Sequence, residues 1–279
     1  MALPFLPSDA GLLLLQAAIV LAPRRVAAPG VAARTRGVAW ALVPVASIVV
    51  VVFAIRYVSD TATALTYLAL VAVPPLAAAA LGWAARGASP PLAAGAAALF
   101  AVAWAAGGSL AGEAAAALLS GLSCVTLGVL LAAVTPPRWL KAGILAMAAA
   151  DTWLVVADLL QAPNAVLLAA HPPGGLPRLQ SEIFGSATMG YGDLFVAGLL
   201  GALLARERRG QLGPALATLL LASAFDVLFL VVDELPATVP VATALIAVEA
   251  WSRRRPGVGG ANAGRRGSPR AGATPRRAR

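Results

Sequence analysis

The chain has too few charged residues to cover a water-facing surface. Only 12% of its 279 residues are charged and 60% are apolar, whereas roughly a quarter of the residues of a soluble domain are charged. The single cysteine, Cys124, excludes an intrachain disulfide and a cysteine-ligated zinc site. The single histidine, His171, argues against a multi-histidine metal site. We therefore expect any chemistry to use carboxylates, hydroxyls or backbone groups, with no metal and no other cofactor.

Long apolar runs take the place of a polar surface. A transmembrane helix needs about 20 mostly apolar residues to cross a hydrocarbon core about 30 Å thick. None of the runs alternates polar and apolar residues with a period of two, so the pattern excludes membrane-spanning strands. The sequence predicts an all-α, polytopic transmembrane domain over residues 1–252. Its nine predicted spans cover residues 8–23, 38–58, 63–84, 90–107, 113–134, 139–160, 183–205, 213–233 and 236–252.

The basic residues predict the orientation of these spans. With the N-terminus outside, 19 of the 21 Lys and Arg residues fall on the cytoplasmic side, and only Arg56 and Arg178 fall outside. We therefore expect a multi-pass cell-membrane protein with a cytoplasmic C-terminus. The Ala-, Arg- and Gly-rich composition suits a prokaryotic plasma membrane.

The segment 253–279 differs from the rest of the chain in carrying nine arginines and no apolar periodicity. We expect it to be a disordered basic tail, because it cannot bury a core. It could contact anionic lipid headgroups or simply anchor the topology. Nucleic-acid binding is not expected, since no aromatic residues or folded platform accompany these charges.

Acidic residues inside apolar spans are candidate functional residues, because a carboxylate is costly at mid-bilayer depth. Nine of the twelve acids fall in loops, at interfaces or near span ends, where water or a nearby arginine explains them. These nine are Asp9, Asp60, Glu113, Asp158, Glu182, Glu207, Asp233, Glu234 and Glu249. Three acids are predicted to lie deep in the membrane: Asp151, Asp193 and Asp226.

Asp151 and Asp193 are predicted to lie at one depth on consecutive antiparallel helices. Each is twelve residues from the inner end of its predicted span, a rise of about 18 Å. Two carboxyls a few ångströms apart share a proton, so one can activate water while the other acts as an acid. Asp226 is expected to be a supporting residue that pairs with a hydroxyl such as Ser223 or lines a water path.

Two short motifs accompany these aspartates. Gly190-Tyr191-Gly192-Asp193 removes side chains just before the acid, which permits close approach of neighbouring backbones, although a small-residue packing seam would look the same. Leu235-Pro236-Ala237-Thr238-Val239-Pro240 places two prolines at the start of the last span. Prolines remove backbone donors and favour extended geometry before them, so the unpaired carbonyls could receive an extended peptide. A simple proline-initiated helix is the alternative.

Together these residues resemble the presenilin and signal peptide peptidase family of intramembrane aspartyl proteases. That family has nine spans, an aspartate in the sixth, GxGD in the seventh and Pro-Ala-Leu at the start of the ninth. Asp151, the GxGD segment 190–193 and Pro236-Ala237 follow that order within residues 139–252. The resemblance implies that Asp151 and Asp193 form the catalytic dyad, that Gly190, Tyr191 and Gly192 belong to the active-site motif, and that residues 235–240 bind the substrate.

The sequence departs from the family pattern at two places. Ala150 stands where the family usually has tyrosine before the first aspartate, which leaves Asp158 as a rival for Asp151. The Pro-Ala-Leu element reads Pro-Ala-Thr-Val-Pro. The expected orientation is that of the signal peptide peptidase branch.

The resulting interpretation is an aspartic endopeptidase that cleaves a transmembrane segment or signal peptide of another protein in the lipid bilayer. Three alternatives stay open. A prepilin-peptidase-like protease shares GxGD, but a basic residue typically follows there, whereas Leu194-Phe195-Val196 follow here. A proton-coupled transporter would use Asp151, Asp193 and Asp226 as a relay, although the internal repeat typical of transporters is not evident. An inactive homologue could act as a chaperone or scaffold.

Overall fold

The structure is a computed structural model that describes residues 4–26, 30, 34–58, 60–230 and 235–254. These residues are mostly helical, as the composition predicts. The α-helices are α1 (Phe5–Leu21), α2 (Val43–Tyr57), α3 (Thr61–Ala79), α4 (Gly95–Ala105), α5 (Leu110–Val134), α6 (Pro137–Val156), α7 (Gln161–Ala169), α8 (Tyr191–Arg206), α9 (Leu212–Phe225) and α10 (Thr238–Arg254). Short 3-10 turns cover Val38–Leu42, Pro90–Ala94, Pro173–Gly175 and Asp226–Leu230, and a π-helical turn covers Ala80–Ala84. Two antiparallel strands, β1 (Ser181–Phe184) and β2 (Ala187–Gly190), lie between α7 and α8.

Four helical stretches of the described chain are long and apolar enough to cross a membrane. They are Val38–Tyr57, Thr61–Ala84, Leu110–Val134 and Pro137–Val156, and three shorter apolar stretches cover Phe5–Leu21, Pro90–Ala105 and Leu212–Leu228. These helices support a membrane protein, but the predicted count of nine spans is not confirmed. The helices α8 and α10 have only 16 and 17 residues, which corresponds to about 25 Å of helix rather than about 30 Å.

The predicted helix over residues 183–205 is wrong in its first third. Strands β1 and β2 form a hairpin with Phe184 paired to Ala187, and the helix begins only at Tyr191. The turn between the strands is Gly185-Ser186, with Gly185 at a φ of 61°. Glycine at the first position of a two-residue turn is the requirement of a tight hairpin. Gly-Ser between short runs rich in β-branched and aromatic residues is therefore the sequence signal that indicated this hairpin.

Several other predicted boundaries shift. The sixth span ends at Val156 rather than residue 160, and Asp158 follows it with a φ of 51°. The eighth span changes from α-helix to a 3-10 turn at Asp226. Its last residues, together with Asp233, Glu234 and the tail from 255 onward, lie outside the described residues.

Helix α5 is the centre of the packing. In its most apolar stretch 78% of the residues are buried, whereas the corresponding share in the other three long helices is 22–39%. It packs against α3, α4 and α8. A Cβ atom on Gly128 of α5 would lie 2.5 Å from the carbonyl oxygen of Gly198 in α8, and one on Gly198 would lie 2.5 Å from the carbonyl oxygen of Cys124. The backbones of α5 and α8 are therefore in direct contact, as small residues permit between membrane helices.

Candidate active site

Asp151 is a buried carboxylate in α6. It lies 14 residues from the first residue of the helix, and only 7% of its surface is exposed. The hydroxyl of Thr238, the first residue of α10, donates a hydrogen bond of 2.6 Å to its Oδ2. Thr238 is itself fully buried. This bond connects the predicted first aspartate to the proline-containing segment before the last helix.

Asp193 occupies the third position of α8, directly after the hairpin. The N–H of Gly190 donates a hydrogen bond of 3.1 Å to its Oδ2. A carboxylate in the first turn also interacts favourably with the positive end of the helix dipole. Asp193 is thus at the end of its helix rather than in the middle of a span. It lies 13 residues from the last residue of α8, and the match in depth with Asp151 stays a prediction.

Gln16 of α1 joins the two halves of this region. Its Nε2 donates hydrogen bonds to the carbonyl oxygens of Asp193, at 3.5 Å, and Ala237, at 3.3 Å. Gln16 is only 1% exposed. Sequence reasoning did not single out this residue, although a glutamine inside the apolar run of α1 was the available signal. Through Gln16 and Thr238, the start of α8, the start of α10 and the Asp151 position of α6 meet.

The face of α6 that carries Asp151 also borders the GxGD segment. Met147 lies one helical turn before Asp151 and therefore on the same face. A Cβ atom on Gly192 would lie 3.8 Å from Met147 Cε and 3.6 Å from Ile48 Cδ1. These are ordinary side-chain contacts, so the close backbone approach that we expected at Gly190 and Gly192 occurs instead at Gly128 and Gly198 of the α5–α8 interface.

The segment 235–240 is only partly extended. Residues from Thr238 onward are helical, so Val239 and Pro240 belong to the first turn of α10. The carbonyl of Pro236 accepts a hydrogen bond from the Val239 N–H, and the carbonyl of Ala237 accepts one from Gln16. The expectation that these carbonyls are unpaired is therefore wrong for Pro236 and Ala237, because a helix cap and a side chain already use them.

An open apolar groove lies between α6 and α10, next to Asp151. It has a volume of about 560 Å³ and is lined by side chains of both helices, among them Ala148, Thr152 and Val239. Trp153 and Ile246, also in its lining, are more than half exposed. The groove is therefore apolar and open to the surroundings of the protein.

Glu182 on β1 is a buried acid that sequence reasoning placed in water. It is only 1% exposed, and neither of its carboxyl oxygens has a hydrogen-bond partner among the residues that the structure describes. Burial raises the pKa of Glu182 to about 8, and the neighbouring Ser120 hydroxyl lowers it only in part. The hydroxyl of Ser120 itself donates to the carbonyl of Leu179. The hairpin packs against α5, which is why a residue in a connecting segment is removed from water.

Tyr191 fastens the GxGD segment to α5 beside Glu182. Its hydroxyl and the Ser123 hydroxyl share a hydrogen bond of 2.7 Å, and the Cys124 thiol contacts its carbonyl oxygen at 3.9 Å. Strand pairing places Glu182 opposite Met189, two residues before Tyr191. The start of α8 is therefore held by side chains of α5 on one side and by Gln16 on the other.

The remaining acids take different partners. Asp226 lies against Asp9 of α1 rather than pairing with Ser223. Asp158 is exposed, as the sequence predicts, whereas Asp151 is buried. Glu249 pairs with Arg209 at 2.6 Å and Lys141 at 2.9 Å, which confirms the prediction that a basic residue accompanies it.

The described part of the chain contains no group of three or more His, Cys, Asp and Glu side chains that could hold a metal ion. Comparison of the chain with known protein families, curated proteins and solved structures found no match. The resemblance to intramembrane aspartyl proteases therefore depends on the motif residues and on where the structure positions them.

Proposed function

We propose that this protein is an intramembrane aspartyl endopeptidase with a presenilin-like arrangement of helices, and that Asp151 and Asp193 form its catalytic dyad. The observation that carries the proposal is the connection of three elements around these acids. Thr238 binds the Asp151 carboxylate, and Gln16 binds the carbonyls of both Asp193 and Ala237. Asp151, Asp193 and Ala237 are each more than 40 residues from the next in sequence, and their three elements therefore meet at one junction. A carboxylate inside a membrane protein is costly, so its presence there favours a functional role.

In the proposed reaction one carboxylate takes a proton from water as the water oxygen attacks the scissile carbonyl carbon. The other carboxyl, which holds the shared proton, donates it to the carbonyl oxygen, and a tetrahedral diol forms. Collapse of the diol breaks the C–N bond as the first carboxyl gives its proton to the leaving nitrogen and the second carboxylate takes a proton back from a diol hydroxyl, which leaves a carboxylic acid and an amine. Thr238, by donating to Asp151, helps to orient that carboxylate.

The groove between α6 and α10 supplies an entry for a transmembrane segment. Its apolar lining matches a lipid-embedded helix, and the lining residues Ala148 and Thr152 lie three residues before and one residue after Asp151 in α6. A helical substrate must unwind locally, since its carbonyls otherwise bond along the helix. The β1–β2 hairpin ends three residues before Asp193 and offers sheet-edge backbone groups to an extended strand. In this proposal the hairpin, and not residues 238–240, pairs with the extended substrate, because residues 238–240 are helical.

The proposal includes the orientation that the basic residues predict, with the N-terminus outside and the C-terminus in the cytoplasm of a cell membrane. The transmembrane substrates would then present their cleavage sites at the depth shared by Asp151 and Asp193.

The test compares Asp151→Asn and Asp193→Asn with Asp158→Asn in the full chain reconstituted into liposomes. The probe is a synthetic apolar transmembrane peptide with a glycine pair near its centre and a fluorophore–quencher pair at its ends. Asparagine preserves the acceptors for Thr238 and Gly190, so folding should survive. We expect cleavage to fall by about a thousandfold or more in the first two variants and to be unchanged in Asp158→Asn.

Three results would count against the proposal. Wild-type protein that leaves such peptides intact would remove its basis. Retained cleavage in Asp151→Asn or Asp193→Asn would break the assigned dyad. Loss of cleavage in Asp158→Asn alone would assign the first aspartate to Asp158. Elution volume and unfolding temperature in detergent monitor the fold of each variant.

A proton-coupled transporter is the second candidate, and the contact of Asp226 with Asp9 is the observation that favours it. Two adjoining carboxyls can carry one proton between them. Liposomes loaded with a pH-sensitive dye distinguish the two functions, because transport requires an Asp226-dependent proton flux, whereas proteolysis requires none.

A further inference from the structure

A cleft rich in arginine opens at the end of α8 that is remote from Asp193. It has a volume of about 360 Å³, and four arginines line it: Arg24, Arg25, Arg36 and Arg206. Arg206 and Asp193 are 13 residues apart in α8, which separates the cleft from the aspartates by about 20 Å along the helix. The rest of its lining is small and apolar, with Val129 and Ala132 of α5 and Ala202 of α8.

Three of these arginines are held in place by backbone carbonyls. Arg206 Nη1 donates to the carbonyls of Ala132 and Thr135, the latter at 2.6 Å. Arg36 Nε donates to the carbonyl of Ala133 at 3.0 Å, and Arg24 Nε donates to the carbonyl of Trp83 at 2.6 Å. Each arginine thus uses one of its three nitrogens in these bonds. A guanidinium has five N–H donors, so most of the donors around the cleft are left for another acceptor.

The positive charge of the cleft has no direct counter-ion in the described residues. The salt bridges found there join Lys141 and Arg209 to Glu207 and Glu249, and no carboxylate lies within 4 Å of the four cleft arginines. Arg36 and Arg206 repel each other, and Glu207 offsets that repulsion only from a distance. Arg24, Arg25 and Arg36 are exposed, so an anion can reach them, and the like charges around one cavity favour its binding.

We propose that this arginine cleft binds a phosphate group, carried either by an anionic phospholipid or by a free phosphate ion. The guanidinium fork matches the oxygens of phosphate and makes paired, charge-assisted hydrogen bonds to it. The basic pocket lies at the ends of membrane helices, where lipid headgroups lie. Its apolar wall would contact the glycerol and first methylenes of a lipid, which a free ion lacks. The positive-inside pattern alone requires basic residues on one side but not their convergence on a single cleft.

The experiment titrates the full chain in a neutral detergent with three probes at constant ionic strength. The probes are short-chain phosphatidylglycerol, short-chain phosphatidylcholine, whose choline neutralises its phosphate, and inorganic phosphate against chloride. The readouts are the unfolding temperature and the apparent dissociation constant. We expect phosphatidylglycerol to bind and to raise the unfolding temperature, with little effect of phosphatidylcholine. If inorganic phosphate also binds, the cleft takes the free ion; if only phosphatidylglycerol binds, the source is the lipid headgroup.

Two variants and one matched control tie binding to the cleft. Arg206→Gln removes an anchored arginine, and Arg25→Gln removes a charge whose side chain has no hydrogen bond to any described residue. Each should weaken binding by about tenfold, the effect of one lost charge-assisted contact. Arg138→Gln removes a charge at the start of α6, where Arg138 lies 5.9 Å from the ring of Trp139, and should bind like the wild type. The proposal is overturned if no phosphate-bearing probe binds, or if Arg25→Gln binds no more weakly than Arg138→Gln.

Discussion

The buried carboxyl of Glu182 makes the stability of the fold depend on pH in a direction that can be measured. Its pKa rises from the usual 4.5 to about 8 because burial removes the carboxylate from water, and the neighbouring Ser120 hydroxyl offsets this only in part. Between these two values the folded protein keeps a proton that the unfolded chain has lost. The stabilisation is therefore fully present below pH 4.5 and is lost as the pH rises toward 8.

The size of the effect follows from proton linkage. Each pH unit between the two pKa values changes the folding equilibrium constant by up to about tenfold. Raising the pH from about 5.5 to about 7.5 should therefore lower the folding equilibrium constant by up to about a hundredfold through Glu182 alone. The Glu182→Gln variant carries a neutral amide at every pH, so its stability lacks this pH dependence. We expect its stability to match that of the wild type near pH 5 and to exceed it increasingly above neutrality.

The assay is unfolding of the full chain in mixed micelles, followed at several pH values for wild type and Glu182→Gln. The difference between the two proteins cancels the titrations that they share. Asp158→Asn is the control, since it removes an exposed acid and asparagine tolerates the positive φ found there. If the difference in the free energy of unfolding between wild type and Glu182→Gln does not change between pH 5.5 and pH 7.5, the assigned burial of Glu182 is refuted.

Two further predictions concern the packing around the site. Gly198→Ala places a Cβ 2.5 Å from the Cys124 carbonyl oxygen and should lower the free energy of unfolding by about 2 kcal/mol or more. Gly192→Ala, whose new Cβ has its nearest contact at 3.6 Å, should fold as well as the wild type. Equal unfolding midpoints for the two variants would contradict the direct α5–α8 contact. Thr238→Val removes the hydrogen bond from the Thr238 hydroxyl to Asp151 and should lower peptide cleavage about tenfold in the liposome assay. Thr238→Ser should restore cleavage, and a valine variant with full activity would show that the bond does not position the carboxylate.

The sequence alone was sufficient for the general class of the protein and for the positions of its principal acids. Apolar runs and scarce charges require a helical membrane protein, because both are properties of composition and local windows. The matched depth of Asp151 and Asp193 stays a prediction, because α8 begins at Tyr191 and Asp193 therefore lies at the end of its helix. The pairing of Glu249 with a basic residue follows from the dense positive charge near it.

Errors arose where a short local signal opposed a stronger hydropathy signal. The apolar run over 183–205 outweighed the Gly185-Ser186 turn, so a hairpin was predicted to be part of a helix. The solvation expected for Glu182 assumed that a residue between spans contacts water. The hairpin packs on α5, which buries Glu182 instead. The sequence near Glu182 does not show this, because α5 lies far from it along the chain.

Tertiary structure decided which side chains meet. Thr238 and Asp151 are 87 residues apart, and Gln16 and Asp193 are 177 residues apart, so their hydrogen bonds depend on how whole helices pack. The same holds for the arginine cleft, where Arg24, Arg36 and Arg206 come from three separate stretches of chain. Composition and periodicity act within about twenty residues and determine what each segment can be. Which polar groups become partners depends on the contacts between segments, and those exist only in the folded chain.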